Sequence, residues 1–151
     1  MTEDQSILVD RYLLELLNNA DYAKADEILS PDFVFYGPST RQGLDSRGFI
    51  RFMSEIRKAF SNKRFTEIDR IAEGNRVALR FRMTGTQDGS YFGVPPMGGS
   101  IDVEGCDLIR ISDGKIAEIR AYFDLITIFE TVLIPPPVRI FAEMVQHFWP
   151  R

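Results

Sequence analysis

Residues 77–124 decide the fold, and they read VALRFRMTGTQDGSYFGVPPMGGSIDVEGCDLIRISDGKIAEIRAYFD. β-Branched and aromatic residues dominate three parts of this stretch, which predicts three β-strands. These strands cover residues 76–86, 100–111 and 115–123. The pair Asp113 and Gly114 marks a tight turn between the last two strands. Residues 89–99, GSYFGVPPMGG, form a loop too irregular for a plain hairpin, so we expect an antiparallel sheet interrupted by one long loop.

Alternation along these strands separates an inward apolar face from an outward one. On the inward face of the middle strand, a single carboxylate, Asp107, stands among isoleucine, valine and glycine residues. Removal from water raises the pKa of a carboxyl group, so Asp107 is the candidate for proton transfer. A structural role is the alternative, in which Asp107 accepts hydrogen bonds from the backbone or from a tyrosine.

The chain before this stretch is mainly helical. Apolar residues at helical spacing predict one helix from Ile7 to Leu17 and two more over residues 21–29 and 46–60. Shorter apolar runs predict strands over residues 33–36 and 64–72. Helices followed by an antiparallel sheet indicate an α+β fold, whose sheet can curl around the helices and leave an apolar cavity between the layers.

The composition excludes several classes of protein. The 151 residues are 44% hydrophobic, which suffices for one domain with a buried core. A net charge of -4 without a basic patch argues against nucleic-acid binding, and no segment reads as a membrane span. One cysteine, Cys106, and one histidine, His147, cannot build a zinc-type ligand cluster. The sequence predicts a cytoplasmic protein without a metal or cofactor.

Two motifs resemble the SnoaL-like polyketide cyclase family of the NTF2-like superfamily. Residues 85–99 read GTQDGSYFGVPPMGG, which is similar to the family's G-T-H-x-G-E-F-x-G-I-P-P-T-G-K. Residues 105–121 read GCDLIRISDGKIAEIRA, which is similar to G-I-D-I-F-R-I-x-D-G-K-I-x-E-H-W-D. The helical half also fits, through LSPDFVFYGP at residues 29–38 and FIRFMSEIRKAF at residues 49–60.

This resemblance implies an NTF2-like cone, in which a curved antiparallel or mixed sheet wraps around N-terminal helices. Family members are usually homodimers. Many act without a cofactor on polyketide-like compounds of secondary metabolism and close rings by intramolecular aldol chemistry, in which a carboxylate moves the proton. The resemblance therefore implies a cyclase or isomerase whose partner is a small hydrophobic molecule.

The chain departs from the family at the position that moves the proton. The carboxylate of the family's H-W-D element corresponds here to Ala121, whose methyl group cannot carry a proton. In the related limonene-epoxide-hydrolase-like proteins an Arg and an Asp work with that carboxylate, and Phe81 and Met83 take their places here. Gln87 replaces the histidine of the GTH motif. Two accounts remain open: Asp107, which matches the Asp of G-I-D-I-F-R, has taken over the proton transfer, or the pocket only binds and orients its ligand.

The predicted site combines Asp107, as the catalytic residue, with mostly apolar side chains. The predicted substrate-binding residues are Tyr12, Phe35, Met53, Phe81, Met83, Gln87, Ile119, Ala121 and Phe123. One hypothesis is a cofactor-independent tailoring enzyme for a polyketide- or terpenoid-like molecule, and a second, favoured by Ala121, is a non-catalytic binding protein. A third, a pure dimerisation module, requires a filled core without a cavity.

Residues 1–132 are expected to form this domain and residues 133–151 an additional C-terminal helix. The tail carries an apolar stripe at helical spacing after three prolines, so it should pack on the domain or on a dimer partner, with a lid over the pocket as the alternative. Asp124 is predicted to cap the helix that closes the domain. Arg120 and Tyr122, on the outward face of the last strand, are expected to serve subunit packing.

Overall fold

The computed structural model describes residues 1–38, 40 and 42–133 and has the predicted α+β fold. The helices are α1 (Glu3–Arg11), α2 (Ala25–Ile28), α3 (Ser46–Ala59) and α4 (Leu125–Leu133). The strands are β1 (Leu29–Tyr36), β2 (Arg64–Glu73), β3 (Arg76–Thr86), β4 (Ser100–Ser112) and β5 (Lys115–Phe123). Residues 134–151, which hold His147 and nearly all of the predicted C-terminal extension, lie outside the described residues. No helix within the described residues is both long and apolar enough to cross a membrane.

The five strands form one curved, mixed sheet in the order β1-β5-β4-β3-β2. β1 runs parallel to β5, and the other neighbours are antiparallel. Register shifts interrupt the pairing between Glu67 and Asp69 and between Arg110 and Ile111, and such bulges bend a strand. The expected NTF2-like architecture is therefore confirmed for the described residues.

The first helix is longer than α1 and is tied to the sheet at its end. Its start is capped by Thr2, whose side chain accepts the Gln5 backbone N–H at 3.2 Å. After α1 the chain continues as a π-helix over Tyr12–Asn18. The Asn18 side chain then donates to the Phe65 carbonyl at 2.9 Å and accepts the Phe65 N–H at 2.8 Å. This double hydrogen bond joins the end of the helix to β2.

The second helix and the first strand differ from the prediction. A helix was expected over residues 21–29, but the chain forms a 3-10 turn at Tyr22–Lys24 followed by the four-residue α2. β1 starts at Leu29, which pairs with Ile116 of β5, rather than at Phe33. The pairing of β1 with β5 continues after Pro31 because β1 is the edge strand, where the missing N–H of a proline is tolerated.

The predicted strand faces are confirmed. The inward residues of β3 and β4 are buried, and those of β5 are buried except for Phe123, which is half-buried. Helix α3 covers this face, with Asp45 accepting the Gly48 N–H at 2.8 Å as its N-cap. Its residue Phe49 packs 5.1 Å from the ring of Phe35 in β1. Aromatic contacts of this kind bind the helical layer to the sheet.

Gly105 in β4 allows two phenylalanine rings to meet across the inner face of the sheet. It pairs with Phe81 of β3 on one side and with Phe123 of β5 on the other. The two rings pack edge to face with centroids 5.7 Å apart. A methyl group at position 105 would lie 2.6 Å from the Phe123 ring and 2.7 Å from the Phe81 ring. Together the three residues form one closely packed layer, which we call the phenylalanine layer.

We expect Gly105→Ala to destabilise the fold by about 1–3 kcal/mol, because a core that is already filled must shift to take in the methyl group. The measurement is the free energy of unfolding in urea. Glu104→Ala on the outward face of the same strand is the control and should cost less than about 0.5 kcal/mol. If the two variants lose equal free energy of unfolding, the phenylalanine layer accommodates a methyl group without strain.

Candidate ligand cavity and buried acid

An apolar cavity of about 280 Å³ lies between α3, α4 and the inner face of the sheet. Its wall residues are mainly aromatic and aliphatic. They are Pro38, Phe52, Met53, Ile56, Phe60, Phe65, Met83, Tyr91, Phe92, Ile101, Phe123, Leu125, Ile128 and Phe129. A volume near the lower end of the range for small-molecule pockets suits a compact hydrophobic ligand. Its presence argues against a module whose only function is dimerisation, since that hypothesis requires a filled core.

Helix α4 forms one wall of the cavity and starts where the sequence predicts. The Asp124 carboxylate accepts the Thr127 N–H at 3.0 Å, as an N-cap does. From this start α4 places Ile128 and Phe129 against the cavity. The predicted cap is thus confirmed, and it fixes the position of a cavity wall.

The long loop between β3 and β4 supplies another wall, and Gln87 holds it in shape. Tyr91 and Val94 exchange two backbone hydrogen bonds of 2.9 Å. The Gln87 amide nitrogen donates to the carbonyls of Gly89, Val94 and Pro95 at 3.1–3.4 Å, and its oxygen accepts the Met97 N–H at 3.2 Å. Since the side chain is fully buried and its amide is engaged by the loop backbone, Gln87 is a positioning residue rather than the predicted substrate contact.

Of the predicted substrate-binding residues, Met53, Met83 and Phe123 line the cavity. The other apolar residues of that prediction, Phe35, Phe81, Ile119 and Ala121, lie in the core outside the cavity wall. Phe35 packs between the rings of Phe49 and Phe52. Ile119 is fully buried between β1 and β4. Strand alternation identifies which side chains face inward, but it does not show how deep in the cone each one lies, so it could not separate the cavity wall from the core.

Asp107 is buried, as predicted, and it contacts a residue of the first helix. The Tyr12 hydroxyl donates to Asp107 Oδ2 at 2.8 Å. Its other carboxyl oxygen, Oδ1, has no hydrogen-bond partner among the described residues. A tyrosine partner is what the structural alternative for Asp107 required, and Asp107 engages the hydroxyl of Tyr12, which was predicted to bind the substrate. The unpartnered oxygen is not explained by a structural role, because a buried polar atom without a partner costs about 1–3 kcal/mol.

Burial dominates the acidity of this pair. Loss of water raises the pKa of Asp107 from 3.8 to about 7, although the hydrogen bond from Tyr12 works in the opposite direction. Burial, and then the charge of Asp107, raise the pKa of Tyr12 well above its usual value, so its hydroxyl keeps its proton. Asp107 can therefore exist as an acid and as a base near neutral pH, which is the condition for general acid–base catalysis.

The phenylalanine layer separates the cavity from Asp107. Phe123 lines the cavity, and Gly105 lies opposite it in β4. Asp107 is two residues further along β4 on the same face, opposite Leu79 of β3 and Ala121 of β5. The acid thus lies one layer deeper than the cavity floor. Ala121, which the sequence resemblance aligns with the family's proton-transfer carboxylate, is its direct cross-strand neighbour.

The sequence-based prediction missed most of the wall, including Phe52 and Ile56 of α3 and the wall residues of α4 and of the long loop. One signal in the sequence could have identified Tyr91 and Phe92 as wall residues. Two adjacent aromatic residues stand between glycines in a loop that was expected to be irregular. Ile128 and Phe129 follow the predicted cap Asp124, and the apolar stripe of a capped closing helix was a second signal.

Comparison with known proteins agrees with this fold. The family model described as SnoaL-like polyketide cyclase matches residues 7–132. A candidate SnoaL-like polyketide cyclase from Jannaschia sp. CCS1 is 26% identical with a TM-score of 0.81, and the match covers 88% of this chain and 94% of that one. AclR, a candidate hydroxylase from Streptomyces galilaeus, is 25% identical with a TM-score of 0.75 over 85% and 95% of the two chains. IdmH, a candidate polyketide cyclase from Streptomyces antibioticus, is 24% identical with a TM-score of 0.75 over 84% and 96%, which shows likeness of fold alone. No protein with a curated description matches this chain.

We expect Asp107 to make the fold less stable as the pH rises between about 4 and 7. Because its pKa is raised on folding, the folded chain holds a proton in this window that the unfolded chain has lost, and stability falls by at most about 1.4 kcal/mol per pH unit. Asp107→Asn should remove this slope. The measurement is the free energy of unfolding against pH for both proteins, with Cys106→Ser as the control. Parallel curves for wild type and Asp107→Asn would mean that Asp107 titrates as an ordinary carboxyl group.

We expect Gln87→Leu to release the long loop without unfolding the domain. Loss of the amide contacts should lower the local opening energy enough to speed chymotrypsin cleavage after Tyr91 or Phe92 roughly tenfold. The cleavage rate is followed by mass spectrometry, with the exposed Gln42→Leu as the matched control. Unchanged cleavage of Gln87→Leu would show that the loop keeps its shape without the amide.

Proposed function

This chain belongs to the SnoaL-like polyketide cyclase family, and from that premise we propose that it is a cofactor-independent enzyme that rearranges a small hydrophobic molecule by acid–base chemistry. Asp107 is its proton-transfer residue. The observation that carries the proposal is the unpartnered oxygen of Asp107, on a carboxyl group with a pKa of about 7, one layer behind an apolar cavity. Such a perturbed acid beside a cavity is a candidate for catalysis.

The chemistry that fits this arrangement is enolate formation followed by ring closure. The Asp107 carboxylate removes a proton from a carbon next to a carbonyl group of the ligand. The resulting enolate carbon attacks a second carbonyl of the same molecule, which forms a carbon–carbon bond and an alkoxide. Asp107, now protonated, returns its proton to the alkoxide oxygen, so the product is an isomer of the substrate. Tyr12 donates to Asp107 Oδ2 and so stabilises the carboxylate form, which leaves Oδ1 to act on the ligand.

This reaction requires the phenylalanine layer to open. The ligand reaches Asp107 only if a ring moves, and Phe123 is the residue suited to move because it is half-buried, lines the cavity and ends β5. Phe81 is fully buried and also contacts the ring of Phe65 at 5.4 Å. The apolar cavity then contributes by holding a folded ligand with its two carbonyl groups close together, which lowers the entropic part of the barrier.

A second candidate function is binding without catalysis. It is favoured by Ala121, which has replaced the family's proton-transfer carboxylate, and by the closed phenylalanine layer in front of Asp107. In that case the cavity binds and orients a hydrophobic molecule, and Asp107 with Tyr12 joins the first helix to the sheet. The homodimer, the cytoplasmic location and the place in secondary metabolism stay predictions from the sequence.

We expect the wild-type protein to catalyse both enolisation and ring closure of 1-phenylhexane-1,5-dione, a hydrophobic diketone that forms a six-membered aldol product. Deuterium uptake from D₂O, followed by mass spectrometry, reports proton removal, and chromatography separates the cyclic isomer of equal mass. Asp107→Asn should slow both steps at least about a hundredfold, the usual effect of a general base. Cys106→Ser, on the outward side of the same strand, is the control and should keep the wild-type rate.

Two results would contradict the catalytic proposal. Equal rates for wild type and folded Asp107→Asn would remove Asp107 from the reaction. Binding of the diketone by both proteins without deuterium uptake in either would support the non-catalytic function instead.

A further inference from the structure

A second recess lies at the edge of the sheet, and we call it the edge notch, formed by residues 36–38, 40 and 120–123. β1 pairs with β5 as far as Tyr36 and Arg120. Beyond this pair the chain turns away at Gly37, so residues 121–123 of β5 have no strand beside them on this side within the part of the chain that the structure describes. The edge notch has a volume of about 340 Å³. It lies at the free edge of β5, and residues of both the inner and the outer face of this strand line it.

Arg120 brings positive charge to the edge notch. Its guanidinium carbon lies 4.2 Å from the centre of the Tyr36 ring, and this stacking holds the flat group in place. Its Nε donates to the Glu118 carboxylate at 2.9 Å, which uses one of five N–H donors. Among the described residues, no acceptor bonds the two terminal nitrogens, and the side chain is 46% exposed. Arg120 can therefore still bind an anion.

The edge notch and the cavity adjoin. Pro38 and Phe123 line both spaces, so the two spaces share a wall at these residues, and a ligand that occupies both has to pass over it. Ala121 also lines the edge notch, and it is the cross-strand neighbour of Asp107. The edge notch therefore borders the strand position beside Asp107, while Arg120 lies on the outer face of the same strand.

We propose that the edge notch binds the carboxylate of a ligand whose apolar body occupies the cavity. This inference rests on the cavity binding of the proposed function and narrows its substrate class to hydrophobic carboxylic acids. None of the described residues that line the cavity is charged, so a carboxylate is poorly accommodated there. The guanidinium of Arg120 presents paired N–H donors that match the two oxygens of a carboxylate.

The test uses N-phenyl-1-naphthylamine, a neutral dye that fluoresces in apolar cavities, and two competitors with the same naphthyl body, one with a free carboxylate and one with that carboxylate masked as an ester. These are 4-(2-naphthyl)butanoate and its methyl ester. We expect the acid to displace the dye from the wild-type protein at about one tenth of the ester concentration, since a hydrogen-bonded charge pair contributes about a tenfold change in affinity. Arg120→Gln should abolish this preference for the acid while leaving ester and dye affinities unchanged.

Two control variants make the result specific. Arg120→Lys keeps the charge but not the paired donors and should retain part of the preference for the acid. Arg82→Gln removes an exposed arginine from the outward face of β3 and should behave like wild type. Size-exclusion chromatography of each variant reports the subunit packing that the sequence favours for Arg120.

The outcomes separate the two proposals. If the dye does not bind the wild-type protein, the cavity function itself fails. If the dye binds but the acid and the ester compete equally, or if Arg120→Gln keeps the wild-type preference, the edge notch is not a carboxylate site. An altered oligomeric state of Arg120→Gln with an unaltered preference would assign Arg120 to subunit packing and overturn the proposal.

Discussion

The burial of one carboxyl group between the first helix and the sheet is the constraint on which the rest of this structure depends. Asp107 is 2% exposed and receives a hydrogen bond from Tyr12 alone among the described residues. That bond fixes the helix to the middle of the sheet. The same lack of water that weakens the fold brings the pKa of Asp107 to about 7, where the group can both take and give a proton. Stability and reactivity are therefore set by the same few contacts.

Much of the fold and part of the site could be predicted from the sequence, for a physical reason. Side chains alternate in a strand whatever surrounds it, so the burial of Asp107 followed from its neighbours in β4. One part of the cavity wall follows instead from the positions of α4 and of the long loop, which no local pattern determines, and Tyr91 and Ile128 were missed for that reason. The role of Gln87 was hidden because its partners are backbone groups of a folded loop. The start of β1 at Leu29 was missed because the edge position of this strand, which tolerates Pro31, is not a local property of the sequence.

Ala121 and Asp107 occupy the same layer of the cone on two neighbouring strands. The two residues face each other across β4 and β5. A carboxyl group on either strand therefore projects into the same layer of the cone. With alanine at position 121, this layer holds one acid, Asp107, rather than two adjacent ones. A single acid avoids the repulsion of paired carboxylates and needs only one partner, which Tyr12 provides.

The π-helix over Tyr12–Asn18 determines where the first helix can change its length. A π-type turn takes in one residue more than an α-type turn, so removing one residue here would return the turn to α geometry and leave the preceding helix in its orientation. Removing one residue from α1 would instead rotate everything before the deletion by about 100° and carry the buried Leu8 out of the core. Asn18 is held by the backbone of Phe65 and Tyr12 by Asp107. The segment between these two anchors can therefore lose one residue and keep both contacts.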